Sequence, residues 1–162
     1  MYFFGAYHCF LSQEFGCGYV QDIVVQRLEG RLERMRRQVA NPAEAAVHRY
    51  IAAINAGDAN AVTDALNFPH FRIGMEGRVT YYPDRSADHL GNFRNRTAAD
   101  GWKETVLDSC ETLFTAPTKA HVHIRFRRLR GDGSLIGAYE SLYIVTCQAG
   151  HWGIQGGSGT GF

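Results

Sequence analysis

The sequence predicts an α+β domain, with helices first and a mainly antiparallel sheet after them. Three observations carry that expectation. "NPAEAAV" at 41–47 has the residues of a capped helix start, and Val47, Tyr50, Ile51 and Ile54 then fall on one helical face. "GD" at 57–58 stops that helix and can cap a second. From residue 102 onward, long β-patterned segments are separated only by short turn sequences, so consecutive strands should pair antiparallel.

The chain of 162 residues fits one domain with enough material for a core, and its 45% hydrophobic and 20% charged residues are those of an ordinary globular protein. A formal net charge of +1 gives no global electrostatic reason to expect nucleic acid or an anionic membrane as partner. No run approaches the roughly 18 to 20 apolar residues that a membrane span requires. Cys9, Cys17, Cys110 and Cys147 lack metal-like spacing and read as free thiols, which suits a cytoplasmic protein.

Residues 1–40 read as an extension. "MYFFGAYHCFL" has no Lys or Arg before its apolar run and no clear cleavage site, unlike a secretory signal. Val20, Val24, Leu28, Leu32, Met35 and Val39 recur at helical spacing, and Arg27, Arg31, Arg34, Arg36 and Arg37 occupy the remaining positions. A basic amphipathic helix can lie on a membrane, but acidic residues among its arginines fit a solvated face. Met35 is also a plausible start of translation.

The main domain is expected over 41–157, with "GGSGTGF" leaving a flexible tail at 158–162. Asn41 can cap, Pro42 fits the first helical position, and Glu44 can reach back to the cap. The first helix then runs to Ala56, and a second from Ala59 to about Leu66. "FPHFRI" and "RVTYY" form a hairpin through "GMEG", with Pro69 placing the first strand at an edge or a strand start. "SADHLGNFRNRT" at 86–97 reads as a third helix, with Leu90, Phe93 and Thr97 on one side. Strands follow in "WKETVLDSCETLF", "KAHVHIRFRRLR", "SLIGAYESLYIVTCQ" and "HWGIQGGS". Alternation puts Ala138, Glu140, Leu142 and Ile144 on one face, so Glu140 shares its face with aliphatics. His121 and His123 share a face with Arg125 and Arg127, and this reads as an outer or interfacial face rather than a metal site.

"VHRYIAAINAGDANAV", "FPHFRI", "GAYESLYIVT" and "HWGIQ" together resemble the nuclear transport factor 2-like superfamily. The resemblance is to its ketosteroid isomerases and SnoaL-like polyketide cyclases, and it covers most of 42–157. It implies a cone-shaped, cystatin-like barrel in which three helices cover a strongly curved, mainly antiparallel sheet and enclose an apolar pocket. The outer sheet face often forms a homodimer. By the same resemblance, Tyr50 falls where the isomerases carry an oxyanion-hole tyrosine, and Glu140 where they carry a protonated carboxyl. A carboxyl held in an apolar cavity stays neutral and can donate.

The isomerases' base carboxylate has no clean counterpart: Gly74 stands near the expected place, Glu76 only close by, and His70 is an alternative base. Phe68, Trp102 and Trp152 are candidate wall residues of a pocket, and Arg72 a candidate ligand contact. Each has a structural alternative: Tyr50 in the core, Glu140 at the sheet rim beside an arginine, His70 as a structural residue or one bonded at the domain surface. The function expected is binding of a small apolar or carbonyl-containing ligand, with cofactor-free isomerisation, cyclisation or dehydration by proton transfer. The competing class is a non-catalytic ligand carrier or association module. No nucleotide or metal motif points to a cofactor.

Overall fold

The computed structural model describes residues 41–160. The extension at 1–40, with its amphipathic helix, Cys9 and Cys17, lies outside them. Helix α1 spans Pro42–Ala56 and α2 spans Ala59–Asp64. They lead into the hairpin of β1 (Leu66–Ile73) and β2 (Val79–Tyr82), then α3 (His89–Thr97) and a single 3-10 turn at Ala98–Asp100. Four strands complete the described chain: β3 (Trp102–Ala116), β4 (Lys119–Arg130), β5 (Leu135–Gln148) and β6 (His151–Gly159). They form one six-stranded sheet in the order β2-β1-β6-β5-β4-β3, antiparallel except where β1 runs parallel to β6.

The local signals that start and stop the helices work largely as expected. The Asn41 side chain accepts from the Ala43 amide, and Asp58 accepts from the Ala61 amide. Gly57 ends α1 at φ 69°, a left-handed conformation that suits a residue without Cβ. Glu44, however, does not reach back to the cap. Its Oε1 accepts from both the amide and the hydroxyl of Thr112 on β3. The third helix starts at His89, later than its apolar pattern suggests, because Asp88 caps it by accepting from the Gly91 amide.

Helix α1 lies along the core side of the sheet and buries Ala43, Ala46, Val47, Tyr50, Ile51, Ala53 and Ile54. Opposite them stand Val122, Ile124 and Phe126 of β4, Tyr143 and Val145 of β5, and Ile154 of β6. Each fully buried aliphatic among these contributes about 1.5–3 kcal/mol over leaving it in water. The sheet bends through breaks in register, three of them along β3–β4 and one each along β4–β5 and β5–β6.

Two expectations about the ends of the sheet are corrected. β1 is not an edge strand, since it lies between β2 and β6. Pro69 is accommodated because the β1–β6 ladder breaks between Leu66 and Phe71, where no ladder hydrogen bond is asked of it. Ser158 and Gly159 are also not tail: they pair with Leu142 and Ser141 of β5, and the Thr160 amide donates to the Glu140 carbonyl. The glycines there serve close approach. A Cβ at Gly156 would sit 2.2 Å from the Phe71 ring, which crosses the strand at that point.

The open edge of the sheet at β3 is clasped by α1. Asn55 takes both backbone groups of Thr105, donating to its carbonyl at 2.8 Å and accepting from its amide at 2.9 Å, as a neighbouring strand would. Replacing Asn55 by Ala removes both bonds and leaves the buried Thr105 backbone without them, at a cost of about 1–2 kcal/mol. Urea denaturation should show a lower midpoint at unchanged slope. An unchanged midpoint would mean that the clasp contributes nothing.

A charged interior and the candidate functional site

Two arginines project from the inner face of the sheet. Arg72 is 7% exposed, and its guanidinium carbon lies 5.2 Å from the Tyr50 ring centre and 4.9 Å from that of Tyr143. These two tyrosines meet edge to face at 6.2 Å. A guanidinium is planar, weakly hydrated and attracted to aromatic faces, which makes it the cation best suited to such a berth. Gly157 of β6 leaves the room: a Cβ there would lie 2.6 Å from Tyr143 and 2.9 Å from Arg72 Nη1. Arg128 of β4 is held in the same way, 4.8 Å from the Tyr139 ring, 5.3 Å from Phe93 and 5.6 Å from Phe126.

Burial pulls both guanidinium pKa values down. For Arg128 it leaves the value below the ordinary one; for Arg72 the surrounding tyrosines Tyr50, Tyr143 and Tyr82 outweigh it and the value ends above. Arginine begins so far above neutrality that both side chains carry their charge at physiological pH.

Beside Arg72 stands a cluster built by the β1–β2 register, which pairs His70 with Tyr82 and Arg72 with Thr80 on one face. His70 is fully buried, and its Nδ1–H donates to the Ile154 carbonyl at 3.0 Å. A carbonyl only accepts, so the bond fixes the tautomer and leaves Nε2 as a lone pair. His89, the first residue of α3, lies 5.3 Å from His70 and 4.1 Å from Tyr82, ring centre to ring centre. Nε2 of each imidazole is buried, with no hydrogen-bond partner among the described residues. Burial and then the Arg72 charge depress His70 to about 2. The same causes bring His89 to about 4, against the pull of Asp88.

A cavity of about 720 Å3 opens between the β1–β2 hairpin and α3. Arg72 and Tyr82 are its buried residues. Met75, Glu76, Arg78 and Thr80 line it from the hairpin, and Asn92, Asn95 and Arg96 from α3. Gly77, at φ 75°, makes the tight turn that brings the hairpin back.

Comparison with known families decides what this domain is. The family model described as NTF2-like protein (DUF6841) matches residues 40–158. The chain belongs to this NTF2-like family. Solved structures of the same fold include a ketosteroid isomerase-like protein from Erwinia carotovora atroseptica, 19% identical with a TM-score of 0.56, covering 73% of this chain and 92% of that one. An NTF2-like protein with a cystatin-like fold from Novosphingobium aromaticivorans is 14% identical with a TM-score of 0.60, covering 83% and 88%. An NTF-2 like protein of unknown function from Shewanella oneidensis is 16% identical with a TM-score of 0.57, covering 72% and 93%. At such identities the likeness establishes the fold and leaves the reaction open. None of the curated proteins matches the chain.

Within this NTF2-like domain the expected oxyanion pair does not assemble. Tyr50 is buried on the inner side of the sheet, whereas Glu140 projects from the outer face. There Glu140 accepts from Arg125 Nε at 2.9 Å and lies 3.3 Å from His123 Nε2. The hydrogen bonds from Arg125 and then His123 hold its carboxyl below the usual range, so it is ionised rather than a protonated donor. The pairing register explains this, because Arg125 stands directly opposite Glu140. The aliphatic face of β5 on which the sequence places Glu140 is the outer one; Tyr139, Ser141, Tyr143 and Val145 face the core.

The expected pocket does not lie beside Tyr50. Around Tyr50, the space between Phe93, Phe126, Arg128 and Tyr143 holds about 10 Å3, at most a water molecule. The large cavity is lined mostly by residues with polar side chains, although the greater part of the surface they present to it is apolar. His70 belongs to the cluster behind Tyr82 and does not line it. Of the four candidate ligand contacts, only Arg72 does. Phe68 lies 5.6 Å from His89, and Trp102 packs edge-on to Phe93 at 4.9 Å while its Nε1–H donates to Thr105 Oγ1. Trp152 packs against the core, and its carbonyl accepts from Arg49.

The sequence pattern does not single out Arg128, Tyr82 or His89. For Arg128 a signal is nonetheless present: if Val122, Ile124 and Phe126 face the core, alternation carries residue 128 inward with them. Cys110 and Cys147 are free thiols, and burial, then Glu44, pushes Cys110 up to about 12, which leaves it inert.

The histidines predict an acid-labile fold. Because His70 titrates lower when folded than its ordinary 6.5, the unfolded chain takes up the proton first, and stability is lost as pH falls below about 6.5. Between pH 7 and pH 5 the loss from His70 alone is on the order of 2 kcal/mol. Denaturation of the wild type and of His70→Gln at both pH values should show the wild type losing more. Parallel losses would refute a buried neutral imidazole.

Proposed function

We propose that this domain binds a small oxygen-bearing organic ligand in the cavity between the β1–β2 hairpin and α3, and that Arg72 polarises the ligand's oxygen. The observation that supports it is the position of Arg72, which is buried among aromatic rings and yet lines a cavity of about 720 Å3. That volume lies within the roughly 300–1,000 Å3 of small-molecule sites. A preorganised cation at a partly desolvated wall stabilises charge developing on a carbonyl oxygen, the task the resemblance had assigned to a tyrosine and a carboxyl. Glu76 is the one carboxylate in the same lining, and it supplies a proton acceptor if the ligand is an enolisable carbonyl compound. The chemistry is then a cofactor-free proton transfer, as in isomerisation or dehydration.

Fluorescence titration with 2-naphthol, an aromatic oxygen-bearing probe, tests the cavity. Wild type should bind saturably, and Asn95→Trp, which places an indole in the cavity from an exposed position on α3, should weaken binding tenfold or more. Binding unchanged in that variant would place the ligand elsewhere.

A second reading, self-association through the outer sheet face, is supported by exposed apolar side chains there. Phe114 is 47% exposed and stands beside His121, and Leu142 is 37% exposed and stands opposite His123. Sedimentation velocity should give a homodimer for wild type and a monomer for Phe114→Arg with Leu142→Arg. A wild-type monomer at tens of micromolar would dismiss it.

A further inference from the structure

We infer that the ligand of this cavity is an organic anion, a carboxylate carried on an apolar body, and that Arg96 and Arg78 select for it. The inference rests on the cavity reading above and names the ligand class for that same site.

Three arginines from three separate places in the chain converge on the cavity: Arg72 from β1, Arg78 from the hairpin turn and Arg96 from α3. Glu76 is the one carboxylate among the described lining residues. Like charges around one cavity raise each other's energy, and an anion between them gains from all. Two of them already act on the interior, where Arg72 and Arg96 both oppose protonation of His89.

Three other surface arginines are neutralised within the domain, whereas Arg49, Arg94 and Arg130 are, among the described residues, in no ion pair. Arg127 forms a bidentate pair with Asp108, Arg125 pairs with Glu140, and Arg85 pairs with Asp64. Among the described residues neither Arg78 nor Arg96 belongs to an ion pair. Both are exposed, so their guanidinium forks can turn to a carboxylate and grip it with two parallel N–H···O bonds.

The rest of the lining suits the remainder of such a ligand. Asn92, Asn95 and Arg96 lie at spacings of three and four on α3 and so share a face. Their amides offer both donors and acceptors to a neutral polar group. Tyr82 and Met75 supply the apolar contact that a bare inorganic anion would not need.

The test compares two probes of nearly the same shape on the full chain, 2-naphthoate and its methyl ester, by fluorescence titration at low and high salt. Wild type should bind the carboxylate at least tenfold more tightly than the ester, and the preference should shrink at high salt. The double variant Arg78→Met with Arg96→Met changes only exposed side chains, and a melting curve confirms its fold. It should lose most of the preference while its ester affinity stays within about twofold. Equal affinity for both probes in wild type would overturn the anion assignment and leave the cavity reading intact. A preference undiminished in the double variant would overturn the roles of Arg78 and Arg96. Binding of neither probe would remove the anion assignment and the cavity reading together.

Discussion

A guanidinium cannot discard its charge, and this fold holds two of them, Arg72 and Arg128, on the core side of its sheet. Much of the interior is arranged around that constraint. Five aromatic rings, those of Tyr50, Tyr143, Tyr139, Phe93 and Phe126, stand within 6 Å of one guanidinium or the other. Gly157 is bare so that Arg72 and Tyr143 can lie across it. Desolvating a cation costs several kcal/mol, which the ring faces offset only in part.

The filled interior also moves the open space. With Arg128, Phe93 and Phe126 occupying the centre, the room for a ligand lies at the mouth, between hairpin and helix. Arg72 spans the two regions, so any ligand meets a charge whose water was removed during folding and whose position no longer has to be organised. The neutral imidazoles beneath it follow first from burial and then from the same charge: a second cation in that space would be poorly solvated and also repelled by Arg72.

Much of the fold was legible in the sequence because local rules wrote it. Asn41, Gly57 and Asp58 act on backbone groups within a few residues, and their effect does not depend on the rest of the chain. The site was less legible because alternation tells which side chains share a face and not which face is covered. On β5 two readings were open, and the aliphatic face with Glu140 was the wrong one to place inside. The deciding facts are nonlocal: Arg125 opposes Glu140 across the β4–β5 ladder, and α1 lies against Tyr143. The parallel pairing of β6 with β1, between residues as far apart as Leu66 and Ile154, has no local signal at all. Without it the glycines of β6 look like a tail.

The clasp between Asn55 and Thr105 has a consequence for how molecules of this protein can meet. A foreign strand adding to β3 needs the amide and carbonyl that Asn55 already occupies, and farther along it meets Glu44 on the Thr112 amide. At the opposite end, β2 offers four residues before Pro83 interrupts the chain. The sheet is thereby guarded against growth into fibrils at both ends, by a helix at one and by brevity at the other. The guard at β3 lasts only while α1 stays docked, so loosening that helix would open this edge of the sheet to a foreign strand.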